Sequence, residues 1–154
     1  MRTFLVFVGA VVLAGITAAA TCASSQQPLA RAAHATQATV TVRSSAYGRI
    51  LFDGRGRALY AFTHDPRGRT TCTGACAKAW PPYVISVRAR AATGVKASLL
   101  GVVRRPDGTR QATYGGRPLY YYIGDTKPGQ VLCQNVTEFG GVWLVMRPSG
   151  QLVR

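Results

Sequence analysis

Acidic residues are nearly missing from this sequence. Its 154 residues hold only five, Asp53, Asp65, Asp107, Asp125 and Glu138, and histidine occurs only as His34 and His64. General acid–base and nucleophilic chemistry draws on those residue types, so most hydrolase constellations are excluded. Ser44 and Ser45 have no histidine near them in sequence, and His64 alone makes no triad. The Cys-x-x-Cys of thioredoxin-like proteins is absent, and with it the Cys-x-x-Cys-His of a c-type haem. After residue 20 no apolar run approaches the roughly 20 residues that a membrane span needs. Glycine-rich pieces such as Gly54-Arg55-Gly56 lack the following helix of a phosphate loop. At 16% the charged residues are too few for a solvated disordered chain, and at 47% the hydrophobic ones suffice for a core. These shortages point away from an enzyme, and no cofactor is expected.

The start of the chain is better defined. Met1-Arg2-Thr3 carries one positive charge, Phe4 to Ile16 is apolar or small, and Thr17 to Ser25 is a small-residue zone. A charged start, a short apolar core and an alanine-rich exit make a secretory signal peptide, placed at residues 1–21. Cys22 sits where a bacterial lipoprotein carries its lipidated cysteine, although Ala19-Ala20-Thr21-Cys22 departs from Leu-Ala-Gly-Cys at its first and third positions. Residues 22–37 are rich in Ser, Gln and Ala without apolar periodicity and read as a flexible tether, with His34 solvated on it. The folded part is expected over residues 38–154.

That part reads as strands and turns written twice. Val40 to Arg43 alternates with period two, and Ile50-Leu51-Phe52 meets Ala58 to Phe62 across Asp53-Gly54, a hairpin signal. Leu99 to Val103, Asp107-Gly108 and Gln111 to Tyr114 repeat it; Gly115-Gly116 leads into Leu119 to Tyr122, and Val142 to Val153 makes a last hairpin. One short helix is expected near 74–80, with Thr73 as its cap and Pro81-Pro82 as its stop. Ser86 to Lys96 reads as loop. The stretch from Gly56 to Asp65 matches Gly116 to Asp125 at a constant offset of sixty, and each copy runs on to a cysteine (Cys72, Cys133) and a tryptophan (Trp80, Trp143). The expectation is a mainly β fold of two tandem, related antiparallel β-hairpin units, about 47–85 and 99–153, packed as one pseudo-symmetric domain.

Strand alternation puts Tyr60 and Phe62 on one face, and Tyr120 with Tyr122 likewise. Asp65 and Asp125 fall just past the strand ends, where a carboxylate can accept backbone N–H groups and fix the next turn. The motif residues Tyr60, Phe62, Asp65, Tyr120, Tyr122, Asp125, Trp80 and Trp143 are therefore read as core and turn makers. A sugar-binding surface of Tyr83, Tyr114, Tyr120, Tyr121 and Tyr122 is the competing reading.

Tyr60-x-Phe62-x-x-Asp65 and Tyr120-x-Tyr122-x-x-Asp125 resemble the Tyr-x-(Phe/Trp/Tyr)-x-x-Asp motif of a bacterial family of secreted repeat lipoproteins. Cys72-Thr73-Gly74-Ala75-Cys76-Ala77 through Trp80-Pro81-Pro82, Arg105-Pro106-Asp107-Gly108 and Phe139-Gly140-Gly141-Val142-Trp143 fit the same family, so the likeness spans roughly Tyr47 to Val153. The resemblance implies export, frequent lipid anchoring and a tandem repeat. The family has no established biochemical role, so no catalytic residue carries over.

An exported chain meets an oxidising compartment, and Cys72, Cys76 and Cys133 allow one internal disulfide. Loop entropy would reward Cys133 bridged to either partner by roughly 4 kcal/mol, against 2–3 for the Cys72–Cys76 ring, but geometry decides. The resembling block carries Cys72 and Cys76 together and so favours that pair. The alternatives are a metal site of Cys72, Cys76, Cys133 and His64, or a redox role for the three thiols.

Against the five acids stand 19 basic residues, all arginine except Lys78, Lys96 and Lys127, for a net charge of +14. Such a field attracts polyanions. Outside the cell these are anionic envelope polymers and lipid headgroups; nucleic acid is out of reach, and the basic residues are spread singly along the chain rather than clustered as in a nucleic-acid module. The sequence reading is an exported, non-enzymatic binding or structural module of the cell envelope, held to the outer face of the membrane where Cys22 is acylated and secreted where it is not.

Overall fold

The computed structural model describes residues 37–154. The expected signal peptide, nearly all of the tether, the lipidation candidate Cys22 and His34 lie outside the described residues. Among the described residues no helix is long and apolar enough to cross a membrane.

The chain runs β1 (Thr39–Ser45), β2 (Gly48–Asp53), β3 (Tyr60–Phe62), α1 (Gly74–Ala79), β4 (Arg90–Ala91), a single 3-10 turn (Ala97–Leu99), β5 (Leu100–Arg104), β6 (Arg110–Tyr114), β7 (Arg117–Pro118), β8 (Val136–Glu138) and β9 (Gly141–Val145). The fold is mainly β with one short helix, as the alternation and the turn residues indicate. The strands form three small sheets, ordered β2-β1-β4, β3-β9-β8 and β5-β6-β7. The hairpin across Asp107-Gly108 forms with Val102 opposite Ala112.

Other expectations are revised. The run before Asp53-Gly54 pairs along its length with β1, Val42 lying opposite Leu51, and the hairpin across the turn is short: one bridge, Phe52 to Ala58, flanked by the Asp53 N–H bond to Arg57 O at 2.9 Å and the Leu59 N–H bond to Leu51 O at 3.1 Å. β3 instead crosses the domain to β9, with Phe62 opposite Trp143. Period-two patterning marks a strand but names no partner, which is why the local hairpin looked sufficient. The stretch expected as loop contains β4, which adds to β1 in parallel. β8 escaped the sequence pattern because it is three residues long and mostly exposed. Thr73 does precede α1 in extended conformation, but its side chain makes no capping hydrogen bond.

Two buried clusters fill the interior. One gathers Val40, Leu51, Leu59, Tyr83, Leu100, Tyr114, Leu119 and Met146; the other gathers Ile50, Phe52, Tyr60, Phe62, Trp80, Tyr120, Trp143 and Val145. Both draw on residues from before and after position 90, so neither repeat owns a core of its own.

Candidate functional site

The motif residues meet where the two halves cross. Tyr60 and Tyr120 form an antiparallel bridge, each backbone N–H donating to the other's carbonyl at 2.9 Å. On either side the contacts correspond. The Thr63 N–H donates to Val142 O at 3.0 Å, and the Ile123 N–H to Ala79 O at 3.1 Å. Gly68 donates to Gly116 O at 2.7 Å, and Gly129 to Gly56 O at 2.8 Å. Both acceptor glycines have positive φ, +76° at Gly116 and +88° at Gly56, and a Cβ on Gly56 would come within 3.1 Å of the Pro128 Cβ. The left-handed backbone and the close approach of the opposite loop are what glycine supplies there.

The side chains cross over as well. Tyr60 donates its hydroxyl to Asp125 Oδ2 at 2.7 Å, and Tyr120 donates to Asp65 Oδ2 at 2.6 Å. The other oxygen of each carboxylate holds its own loop: Asp65 Oδ1 accepts from the Thr71 N–H and hydroxyl, and Asp125 Oδ1 from the Leu132 N–H. The turn-making role expected of the aspartates is present; their role as partners of the opposite repeat's tyrosine is an addition. Burial, then the bonded carboxylates, push both phenols far above the ordinary tyrosine value, and burial raises the Asp125 carboxyl.

The other four motif positions form an aromatic stack. The Trp80 and Trp143 rings lie 4.0 Å apart and within 2° of parallel; Phe62 covers the far side of Trp143 at 4.2 Å, and Tyr122 leans on Trp80 at 4.8 Å. Tyr60 meets Trp80 edge-on and Tyr120 meets Trp143 edge-on, both at 5.2 Å. Trp80 Nε1 donates to Glu138 at 2.8 Å, whereas Trp143 Nε1 is buried without a partner.

The other candidate residues are placed as follows. Cys72 and Cys76 form a disulfide, so two of the four candidate metal ligands are bonded to each other. His64 is exposed, and no group of three metal-ligating side chains forms among the described residues. Cys133 is a free, half-buried thiol beside Tyr122, whose phenol it pushes up by hydrogen bonding and charge. Of the five tyrosines of the sugar-surface reading, three are buried and Tyr121 and Tyr122 are half-buried. Tyr114 and Tyr120 are fully buried and Tyr83 is 6% exposed. Tyr83 and Tyr121 do reach a groove of about 680 Å³ with Thr39, Asp53, Arg55 and Arg90, but the Tyr121 hydroxyl is bonded to Asp53 and the Arg57 guanidinium covers its ring at 4.1 Å.

A family model described as a secreted repeat of unknown function, Lipoprotein_15, matches residues 41–83 and 101–147. The chain belongs to this family. The two matched segments contain both crossing tyrosines, both partner aspartates and both stacked tryptophans, so the family's repeat is the unit whose two copies interlock here. No curated protein and no solved structure matches the chain.

The acids have one more property in common. Asp53, Asp65 and Asp125 are buried, and Asp53 Oδ1 accepts the Arg55 and Arg57 N–H groups. Asp107 accepts from Thr109 and pairs with Arg105 at 3.5 Å, the one ion pair among the described residues. Glu138 holds Trp80. Every acid is thus committed to structure. Among the described residues one base is too: Arg105 is 4% exposed and donates to Thr70, Gln111 Oε1 and Cys72 O, tying the disulfide segment to the β5–β6 hairpin. The other arginines and lysines among the described residues are exposed or half-buried.

Proposed function

We propose that this domain is a non-enzymatic binding module of the bacterial cell envelope that engages phosphate-bearing anions by charge, and that acylation of Cys22 holds it at the outer face of the membrane. One observation carries the reading: all five acids are spent on turns, the crossing point and one ion pair, which leaves the exposed basic residues among the described residues without an ion pair. Uncompensated positive charge on an exported domain raises the local concentration of anionic polymers and headgroups and does not depend on a shaped catalytic cleft. Membership of a secreted family agrees with export.

Two measurements test it. Mass analysis of the amino terminus of chain recovered from envelope is expected to find a diacylglyceryl group on Cys22; an unmodified end at another residue removes the anchor. Binding of the exported chain to phosphatidylglycerol vesicles and to poly(glycerol phosphate) is expected to weaken steeply between low and physiological salt. Absence of binding at low salt, or binding indifferent to salt, removes the charge-driven reading.

A further inference from the structure

The basic residues, single in sequence, gather at one place in space. Arg67, from the loop after Asp65, Arg117 on β7 and the last residue, Arg154, line a pocket of about 360 Å³ together with Gly150, Gln151 and Leu152. We propose that this three-arginine pocket is a binding site for a phosphate-type oxyanion, a phosphate monoester or diester group.

The pocket is built rather than incidental. Arg67 is held along the Gly115-Gly116 turn: a Cβ on Gly116 would lie 3.4 Å from the Arg67 Cβ, and the Arg67 guanidinium donates to Gly115 O. Its loop is fixed from below by the Gly68 bond to Gly116 O and by the Asp65 carboxylate. Arg117 is half-buried beside it. Burial, and then repulsion from Arg67 and Arg154, hold its guanidinium below the ordinary arginine value. Among the described residues the Arg117 and Arg154 side chains donate to no protein group, and the sole ion pair lies elsewhere, at Arg105. Guanidinium groups present planar forks of donors that match a tetrahedral oxyanion, and three of them facing one cavity repel until an anion enters.

The repeat supplies an internal comparison. Arg57 stands where Arg117 stands in the second copy, and Lys127 where Arg67 stands in the first, and the loop carrying Lys127 docks on Gly56 as the Arg67 loop docks on Gly116. There the guanidinium is satisfied: Arg57 lies over Tyr121, donates to Tyr122 O and sits near the Asp125 carboxylate, with Asp53 at the foot of its turn. The second half has no acid in the place of Asp53; β6 runs through Thr113 and Tyr114 instead. The same backbone feature is therefore neutralised in one half and left cationic and open in the other.

This inference rests on the phosphate-binding reading above and sharpens it to one subsite. Calorimetric titration of the exported chain with inorganic phosphate and with dimethyl phosphate at low salt tests it, on wild type and on Arg67→Gln, Arg117→Gln and Arg154→Gln. Each substitution removes a charge-assisted donor and is expected to weaken binding about tenfold or more. Arg104→Gln, which changes the net charge equally on an exposed position of β5, is expected to leave it within about twofold. Arg154→Gln changes an exposed side chain outside every strand and keeps the test valid should the other two disturb folding. Repeating the set on phosphatidylglycerol vesicles and on poly(glycerol phosphate) assigns the source: the one whose binding drops with the pocket variants is the one the pocket reads. Equal weakening by Arg104→Gln and the pocket variants, or no phosphate binding by a chain that still binds vesicles in a salt-dependent way, overturns the pocket and leaves the general charge reading standing. Loss of both bindings in wild type overturns the two together.

Discussion

The hydroxyl of Tyr120 donates to the carboxylate of Asp65 at 2.6 Å, joining residues 55 positions apart and belonging to different repeats. Its counterpart, Tyr60 to Asp125 at 2.7 Å, joins the repeats in the opposite sense. A tyrosine and an aspartate five residues apart in one motif do not bond each other here: one oxygen of each carboxylate anchors its own loop, and the other accepts from the opposite repeat's tyrosine. They serve the other copy. Two short repeats, neither with a private core, thereby become one domain.

Acid is expected to favour the wild type over an Asp125→Asn variant. Burial raises the folded pKa of Asp125 above its unfolded value, so the fold prefers the protonated form. That contribution is fully present below the unfolded value of about 3.8 and is lost as pH rises through the raised folded value. Asparagine does not titrate. The difference in melting temperature, wild type minus variant, should therefore grow as pH falls from 7 toward 4, and a constant difference would contradict the assignment.

The Cys72–Cys76 disulfide closes a small loop and packs in the second cluster. Replacing both cysteines by serine is expected to cost about 2 kcal/mol in denaturant unfolding, the loop-entropy value for a ring of this size. Peptide mapping after alkylation without reductant should label Cys133 and recover Cys72 and Cys76 cross-linked. Cross-linking to Cys133 would contradict the pairing.

The stacked tryptophans differ in one respect that mutation can reach. Truncating either Trp80 or Trp143 to alanine is expected to cost about 3–5 kcal/mol, as for large buried aromatics generally. Phenylalanine should separate them. Trp143→Phe removes a buried, unpartnered N–H along with ring volume, whereas Trp80→Phe removes a hydrogen bond to Glu138. Trp143→Phe is expected to be the milder by about 1 kcal/mol or more in chemical denaturation.

Much of this was legible in the residues, and the gaps have physical reasons. The duplication, the helix at Gly74–Ala79 and the Asp107-Gly108 hairpin follow from spacing, proline stops and turn chemistry, all local properties. The exchange of β3 to β9 is non-local, and alternation in Tyr60-Ala61-Phe62 carries no address. The buried role of Arg105 was not visible because two of its acceptors, on Thr70 and Cys72, lie 35 and 33 residues away. The pocket was hidden for the same reason: Arg67, Arg117 and Arg154 come together only through the crossing. What could have hinted at the crossing was the shared Tyr-x4-Asp spacing in both copies, since a buried phenol and a buried carboxylate each need a partner.

A double-mutant cycle on Tyr120→Phe and Asp65→Asn, read by equilibrium unfolding and set beside the same cycle on Tyr60→Phe and Asp125→Asn, tests the interlocked-repeat account most directly. The account predicts a coupling of about 1 kcal/mol or more in each cycle, because each pair is buried and bonded. Additivity within about 0.3–0.5 kcal/mol in both cycles would contradict it.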